Sequence, residues 1–428
     1  MKRLLKNGRV IDPAAGIDDR LDVLVEDGRI RRIEKKLSLD GVETVDLAGM
    51  VVCPGFIDMH VHLREPGQEW KETVATGTRA AARGGFTGVA CMPNTVPVND
   101  SRSVTEFILG QARIHGLVPV YPIGCVTKQQ AGRELAEMYD MLDAGAVAFS
   151  DDGKPVHSSL MMRKALEYSK TFGIPIIDHC EDTVLVDGGV INEGEVSTRL
   201  GLRGWPSVAE DVMVQRDLLL AEYTGGHVHI AHLSTARSAE FVREAKRRGV
   251  RATCEVTPHH LVLTDQAVGI YDTNAKMNPP LRTRQDCETL IEALVDGTVD
   301  AIATDHAPHH SDEKCVEFSL APMGIVGLET AVSICLDRLV HTGRMKLPRL
   351  VELFTSGPAD ILGLSAQGRG RLAVDGPADI TVLDPEANAT VDPAQFESKS
   401  RNTPFATWEL RGAPLMTVVA GEIVHDGR

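Results

Sequence analysis

Short apolar runs recur through the middle of the chain, each followed by a helix-length amphipathic segment. The runs are 54–62 (PGFIDMHVH), 86–94 (FTGVACMPN), 117–127 (LVPVYPIGCVT), 144–152 (AGAVAFSDD), 174–180 (IPIIDHC), 227–234 (HVHIAHLS), 250–260 (VRATCEVTPHH) and 299–309 (VDAIATDHAPH). The intervening segments include 70–85, 101–116, 158–173 and 234–249. They open on capping or polar residues and end in Gly, as helices do. Continuous apolar strands alternating with helices predict a parallel sheet buried on both faces. Eight such units over roughly 250 residues predict an α/β fold, a (β/α)8 TIM barrel. A doubly wound open sheet is the alternative, weakened because no G-x-G-x-x-G follows the first run.

The two ends are patterned differently. Residues 1–50 and the stretch from about Gly368 carry β-branched runs punctuated by N-G, D-G and A-G. A small β domain is therefore expected from both termini, residues 1–53 and 366–428, around a barrel over 54–365.

Metal-competent side chains fall at the ends of the apolar runs. His60 and His62 close the first, Asp151 and Asp152 the fourth, His179 the fifth and His232 the sixth. Asp305 closes the eighth, with His306 and His309 just beyond. In a barrel these ends open onto one face, where active sites form. Residues i and i+2 of a strand share a side, so His60 and His62 can grip one ion. Four His and two Asp make a mixed N/O set suited to zinc, with manganese or cobalt as substitutes. Six donors exceed one tetrahedral zinc and suit two metals sharing a bridging group. Such a site lowers the pKa of water and polarises a carbonyl, and Asp305 is the candidate carboxylate to carry the proton. His227 and His229 share one face of the sixth run, which leaves His232 as its ligand. His157, His259 and His260 read as structural.

Charge and composition narrow the partners. The chain has 428 residues, with 45 Lys and Arg against 60 Asp and Glu, a net charge of −15. An acidic surface repels phosphate backbones, and 3 Trp, 5 Tyr and 10 Phe offer few stacking platforms. Nucleic acid is thus excluded as a partner. No stretch reaches the roughly 18 consecutive apolar residues of a membrane helix, and MKRLLKNGRVIDP has no secretory pattern. Eight cysteines without a C-x-x-C pair read as buried thiols in a reducing, cytoplasmic setting.

Several motifs resemble a known family. PGFIDMHVHLREPG, MPNT (92–95), AFSDDG (148–153), DHCED (178–182), AHLST (231–235), NPPLR (278–282), ATDHAPH (303–309) and MGIVGLET (323–330) occur in the order found in dihydroorotases of the class I, bacterial type. These belong to the amidohydrolase superfamily. The resemblance implies a zinc-dependent barrel, two Zn2+ per subunit, that interconverts N-carbamoyl-L-aspartate and (S)-dihydroorotate in pyrimidine synthesis. It implies His60 and His62 on one zinc, His179 and His232 on the second, Asp152 bridging, and Asp305 as ligand and proton shuttle. It places His62, Leu63, Arg64, Asn94, Asn278, His309, Met323 and Gly324 at the substrate, Met323 and Gly324 through their backbones. A homodimer and association with aspartate transcarbamoylase are further expectations. Arg64 shares the side of His62 if the strand continues, and its fork suits a carboxylate.

Three alternatives stand beside this reading. Another cyclic amidohydrolase, a hydantoinase or allantoinase, would bridge its metals with a carboxylated lysine on the fourth strand. Here no lysine follows before Lys154, so an aspartate bridge independent of bicarbonate is expected. A noncatalytic subunit of aspartate transcarbamoylase would lack ligands, and every expected ligand is present. A purely structural metal domain would favour Cys-rich quartets. The polar segment His310–Ser319 is a candidate lid.

Overall fold

The computed structural model describes residues 2–428. Among the described residues, the middle of the chain forms an eight-stranded parallel sheet in chain order. Its strands are Phe56–Val61, Phe86–Cys91, Val120–Gly124, Ala148–Ser150, Ile176–Asp178, Val228–Ile230, Ala252–Val256 and Ala301–Ile302. Each lies inside one of the eight apolar runs. The sheet curls on itself: Val61 bridges His306 in parallel, and the His62 N–H donates to the His306 carbonyl at 2.8 Å. This is the (β/α)8 barrel, not the open sheet. Helices follow the strands, among them Val74–Arg83, Arg102–His115, Ser159–Lys170 and Ala236–Arg247. Thr73, Ser158 and Thr235 cap three of these four through their side chains.

Most strands are shorter than the runs that predicted them. The seventh stops at Val256, and residues 258–262 turn into a short helix with Pro258 in its first turn and the Thr257 hydroxyl accepting from the His260 N–H. Proline has no N–H to lose there. His259 and His260 therefore sit on a helix, not on the strand.

The chain ends build two further sheets. Strands Arg29–Glu34, Asp22–Glu26, Lys2–Lys6 and Glu43–Asp46 form one. The second orders Glu422–Asp426, Glu409–Val419, Ile380–Thr390, Val51–Pro54, Arg9–Asp12 and Ile17–Arg20. Ile380–Leu383 pairs antiparallel with Val51–Pro54, so the two termini are zipped together directly before the first barrel strand. A shared core of Leu5, Val10, Val25, Ile30, Val52, Ile380, Val382 and Met416 lies between the sheets. Gly55 joins the two parts where only glycine fits: a Cβ there would lie 2.1 Å from the Thr87 hydroxyl oxygen. No described helix is long and apolar enough to cross a membrane.

Candidate metal centre and active site

The polar groups at the strand ends converge. His60 is the penultimate residue of the first barrel strand, and His62 lies one residue past its end. His179 follows the fifth strand directly, while Asp152, His232 and Asp305 sit two or three residues beyond theirs. Asp152 is at the centre. Its Oδ1 lies 3.3 Å from His60 Nε2, 3.9 Å from His179 Nδ1 and 4.0 Å from His232 Nε2, and its Oδ2 lies 3.6 Å from His62 Nε2. Asp305 Oδ1 is 3.0 Å from His62 Nε2 and 3.5 Å from His60 Nε2. His179 Nδ1 and His232 Nε2 are 2.9 Å apart.

Three of the non-glycine pocket residues have a backbone that strand geometry does not give. Arg64, His232 and Asp305 have φ of +61°, +30° and +47°. The extended conformation therefore stops before Arg64 and before His232, and face alternation does not aim either side chain. Left-handed turns past the strand ends do. Such conformations cost of order 1–3 kcal/mol and persist where the surroundings over-determine them.

The electrostatics suit a cation. Asp152, Asp305, Glu255 and Glu181 are all buried beside the histidines. Burial opposes ionisation of Asp152, but His60, His62 and His179 hold its carboxyl well below the usual range. Asp305 is likewise depressed, with burial outweighed by His60 and His62. Burial works against a charge on His60, yet Asp152, Glu255 and Asp305 raise its pKa well above the ordinary value. His232 is pushed down to about 3 by burial and by His179 and His60, so it is neutral. Most telling is His60 Nε2, a fully buried nitrogen with no hydrogen-bond partner among the described residues. It faces the two aspartates, and in the neutral ring it is a nitrogen that could ligate a cation. His60, His62 and Asp305 form one group close enough to share an ion, and His60, Asp152 and His232 form another.

A second layer orients these donors. His60 Nδ1 lies 2.6 Å from Glu255 Oε1 and His62 Nδ1 lies 2.8 Å from Asn94 Oδ1. His179 Nε2 lies 2.9 Å from Glu181 Oε2, which also accepts from Asn278 Nδ2 at 3.0 Å. Each contact fixes the ring so that its other nitrogen faces the cluster. A third group, Asp178, Cys180 and Asp217, could also coordinate a metal, but Arg216 already lies against both carboxylates.

Above the cluster is a cavity of about 200 Å³, room for a small molecule rather than a polymer. His62, Arg64, Asn94, Asp152, His179, His232, Asn278, Asp305, His309, Met323 and Gly324 line it, with Gly153 and Ala307. Arg64 is pushed down to about 10 by burial against the pull of Asp305 and Asp152, so it stays cationic at neutral pH. Asn278 Oδ1 is buried without a partner among the described residues, an acceptor available to a ligand N–H. Asn94 already donates to Asp152 Oδ2 at 3.3 Å, so it orients the central carboxylate as well as lining the cavity.

Several expected residues behave differently. Leu63 is not brought to the wall: its side chain lies in the apolar core, where a Cβ on Gly77 would come within 2.5 Å of Leu63 Cδ2. Gly324 is at the wall, but its N–H donates to the Lys276 carbonyl and its carbonyl accepts from Asn402 Nδ2 and Lys314 Nζ. Both polar groups are engaged, and its contribution is shape: φ is +114° and a Cβ would lie 2.6 Å from that of Ala307. The two adjacent pairs separate cleanly. Asp151 accepts from the Val126 and Thr127 N–H groups, away from the cluster. His310 caps the helix Ser311–Lys314, while His309 Nε2 faces the Met323 carbonyl at 2.8 Å. Within the candidate lid, Lys314 is buried and donates to the Pro322 and Gly324 carbonyls. His260 is buried between Thr257 and the Pro279 carbonyl, and His157 is exposed. Lys154 is exposed.

Glu255 and Glu181 were not singled out in the sequence. Glu255 had a signal, the lone acidic residue in the apolar run VRATCEV. Glu181 stood inside DHCED but nothing assigned it a partner.

Comparison with known proteins fits this geometry. Residues 49–238 match the family described as Dihydro-orotase-like, and residues 213–425 match the Amidohydrolase family. The chain is 54% identical over 427 residues to the dihydroorotase of Citrifermentans bemidjiense and 56% identical over 427 residues to that of Geobacter sulfurreducens, in both cases over the full length of both chains. Among solved structures, the L-hydantoinase (dihydropyrimidinase) of Arthrobacter aurescens superposes with a TM-score of 0.90 at 26% identity, over 99% of this chain and 96% of that one. The dihydropyrimidinase of Brevibacillus agri shares the fold, with a TM-score of 0.88 at 22% identity over 100% of this chain and 95% of that one.

Proposed function

The chain belongs to the dihydroorotases, cyclic amide hydrolases of the amidohydrolase family, and from that premise we propose that it interconverts N-carbamoyl-L-aspartate and (S)-dihydroorotate. One observation carries the reading: a carboxylate, Asp152, stands among four histidines under a small cavity that also presents a cationic arginine, Arg64. The first arrangement suits hydrolysis of an amide, and the second suits a substrate bearing a carboxylate.

His60, His62 and Asp305 would hold one divalent cation, His179 and His232 a second, with Asp152 shared. The mixed N/O donors favour zinc. Bound there, such ions lower the pKa of water and polarise the amide carbonyl. The protein side chains supply the rest. Arg64 pairs with the substrate carboxylate, and Asn278 Oδ1 accepts from a ring N–H. In the hydrolytic direction, Asp305 takes the proton of the attacking water and delivers it to the ring nitrogen as the C–N bond breaks. Its depressed pKa keeps it ionised, the form that can take a proton, although the same depression lowers its basicity. In the biosynthetic direction the same groups act in reverse order.

Hydantoinases share the fold, and two features favour the dihydroorotate reading over that chemistry. An aspartate, not a lysine, stands at the centre of the cluster, Lys154 is turned to solvent, and the cavity carries Arg64. The test is to follow the ultraviolet absorbance of dihydroorotate with purified protein, without added bicarbonate, and to measure metal on the same sample. Turnover with close to two zinc per chain is expected. No turnover of dihydroorotate, or turnover of hydantoin instead, would overturn the proposal.

A further inference from the structure

Among the described residues, the barrel's first and eighth strands meet at one backbone bridge, Val61 to His306, with the Thr304 N–H also donating to Asp58 Oδ1. A strap from the C-terminal part of the chain, residues 398–402, crosses this seam. On one side it is tied to the loop after the first strand. The Ser398 hydroxyl and the Lys399 N–H donate to Glu72, and the Ser400 hydroxyl donates to the Lys71 carbonyl at 2.7 Å. Glu72 in turn faces His306 Nε2 at 3.3 Å.

On the other side the strap ends in Asn402, which is 4% exposed. Its Oδ1 accepts from the His309 N–H at 3.1 Å, and its Nδ2 donates to the Ala307 and Gly324 carbonyls, both at 3.0 Å. Its own carbonyl accepts from the Val326 N–H at 2.9 Å. One amide thus joins the segment after the eighth strand to the segment carrying Met323 and Gly324. All three residues it grips with its side chain line the cavity, and Asn402 does not.

We propose that Asn402 is a positioning residue for substrate binding, one that sets the wall formed by Ala307, His309 and Gly324 and so couples the C-terminal strap to substrate affinity. The inference rests on the dihydroorotase reading. Asn402 touches none of the metal donors, so its effect falls on KM rather than on metal content or the chemical step. An amide suits the position because it offers an acceptor to one N–H and two donors to two carbonyls, which no hydroxyl or carboxylate reproduces.

The test uses the full-length, metal-loaded protein with dihydroorotate as substrate. Asn402→Asp keeps the shape and the acceptor for His309 but loses both donors, and Asn402→Ala removes all three contacts. Both are expected to raise KM by about tenfold or more, as loss of two buried hydrogen bonds implies, with kcat within about threefold and metal content unchanged. If Asn402→Ala does not fold, Asn402→Asp carries the test. A KM within about twofold of wild type in Asn402→Asp, or parallel loss of kcat and metal with KM unchanged, overturns the proposal. Absence of turnover by the wild type overturns the functional reading and this inference with it, whereas an active wild type with an unaltered variant overturns this inference alone.

Discussion

The floor of the cavity and its outer wall are built in different ways. On the floor, His60, His62, Asp152, His179, His232 and Asp305 stand at or just past the ends of five barrel strands, and hydrogen bonds to oxygens of Glu255, Asn94 and Glu181 hold three of the rings. The outer wall, with His309, Met323 and Gly324, has no strand under it. Short contacts hold it: Lys314, from the segment between His309 and Met323, and Asn402, from a distant part of the chain, both donate to the Gly324 carbonyl. The difference fits the tasks. Donors that must meet one ion need fixed directions, which hydrogen-bonded strands supply, whereas a wall that must match a ligand's outline can be shaped by loops.

The comparison can be broken most sharply at Asp305. Asp305→Asn is expected to lower kcat by about 10²- to 10⁴-fold while bound metal, read by elemental analysis, falls far less. Near-normal turnover would remove the proton-carrying role from the floor. Glu255→Gln tests whether the floor depends on its second layer. Weaker orientation of His60 should reduce metal affinity by about 10- to 100-fold, measured by competition with a chelator. Unchanged affinity would mean that the strands alone set the donors.

On the wall side, Arg64→Ala should raise the KM for dihydroorotate by about 10- to 100-fold, the worth of a charge-assisted pair, with a smaller change in kcat. An unchanged KM would place the substrate carboxylate elsewhere. The smallest effect concerns the anchor of the strap. Glu329 accepts from the Glu397 and Ser398 N–H groups. Burial pushes it up to about 7, against these bonds and the pull of Arg83. A raised carboxyl stabilises the fold fully below its ordinary value of 4.5 and loses that contribution as pH rises through 7. Between pH 5 and pH 8, wild type should therefore lose about 1–3 kcal/mol relative to Glu329→Gln, seen as a shift in their thermal-unfolding gap. A gap independent of pH would show Glu329 already ionised in the folded protein.

Much of the floor was legible in the chain because strand and helix periodicity are local properties. Eight apolar runs located eight strands, and the side chains that cluster under the cavity are histidines and aspartates at the ends of those runs. Single side chains are aimed by local geometry that periodicity does not carry. His232 and Arg64 reach the cavity through left-handed turns rather than by strand alternation. Leu63, in the middle of a motif, faces the core. Asp151 and Asp152 are alike in sequence, and only their surroundings distinguish a loop anchor from the central carboxylate.

The sequence by itself determined the barrel, the union of the two termini in β structure and which histidines and aspartates stand at the strand ends, since each follows from spacing along a continuous chain. The tertiary structure alone decided which nitrogen or oxygen of each donor faces the centre, that Glu255 and Glu181 stand behind them, and that Asn402 reaches the wall. Glu255 and His60 are 195 positions apart, and Asn402 and His309 are 93 apart. Contacts of that separation leave no periodic trace in either segment. They exist only because the closed barrel and the strap across its seam bring distant backbones to hydrogen-bonding distance.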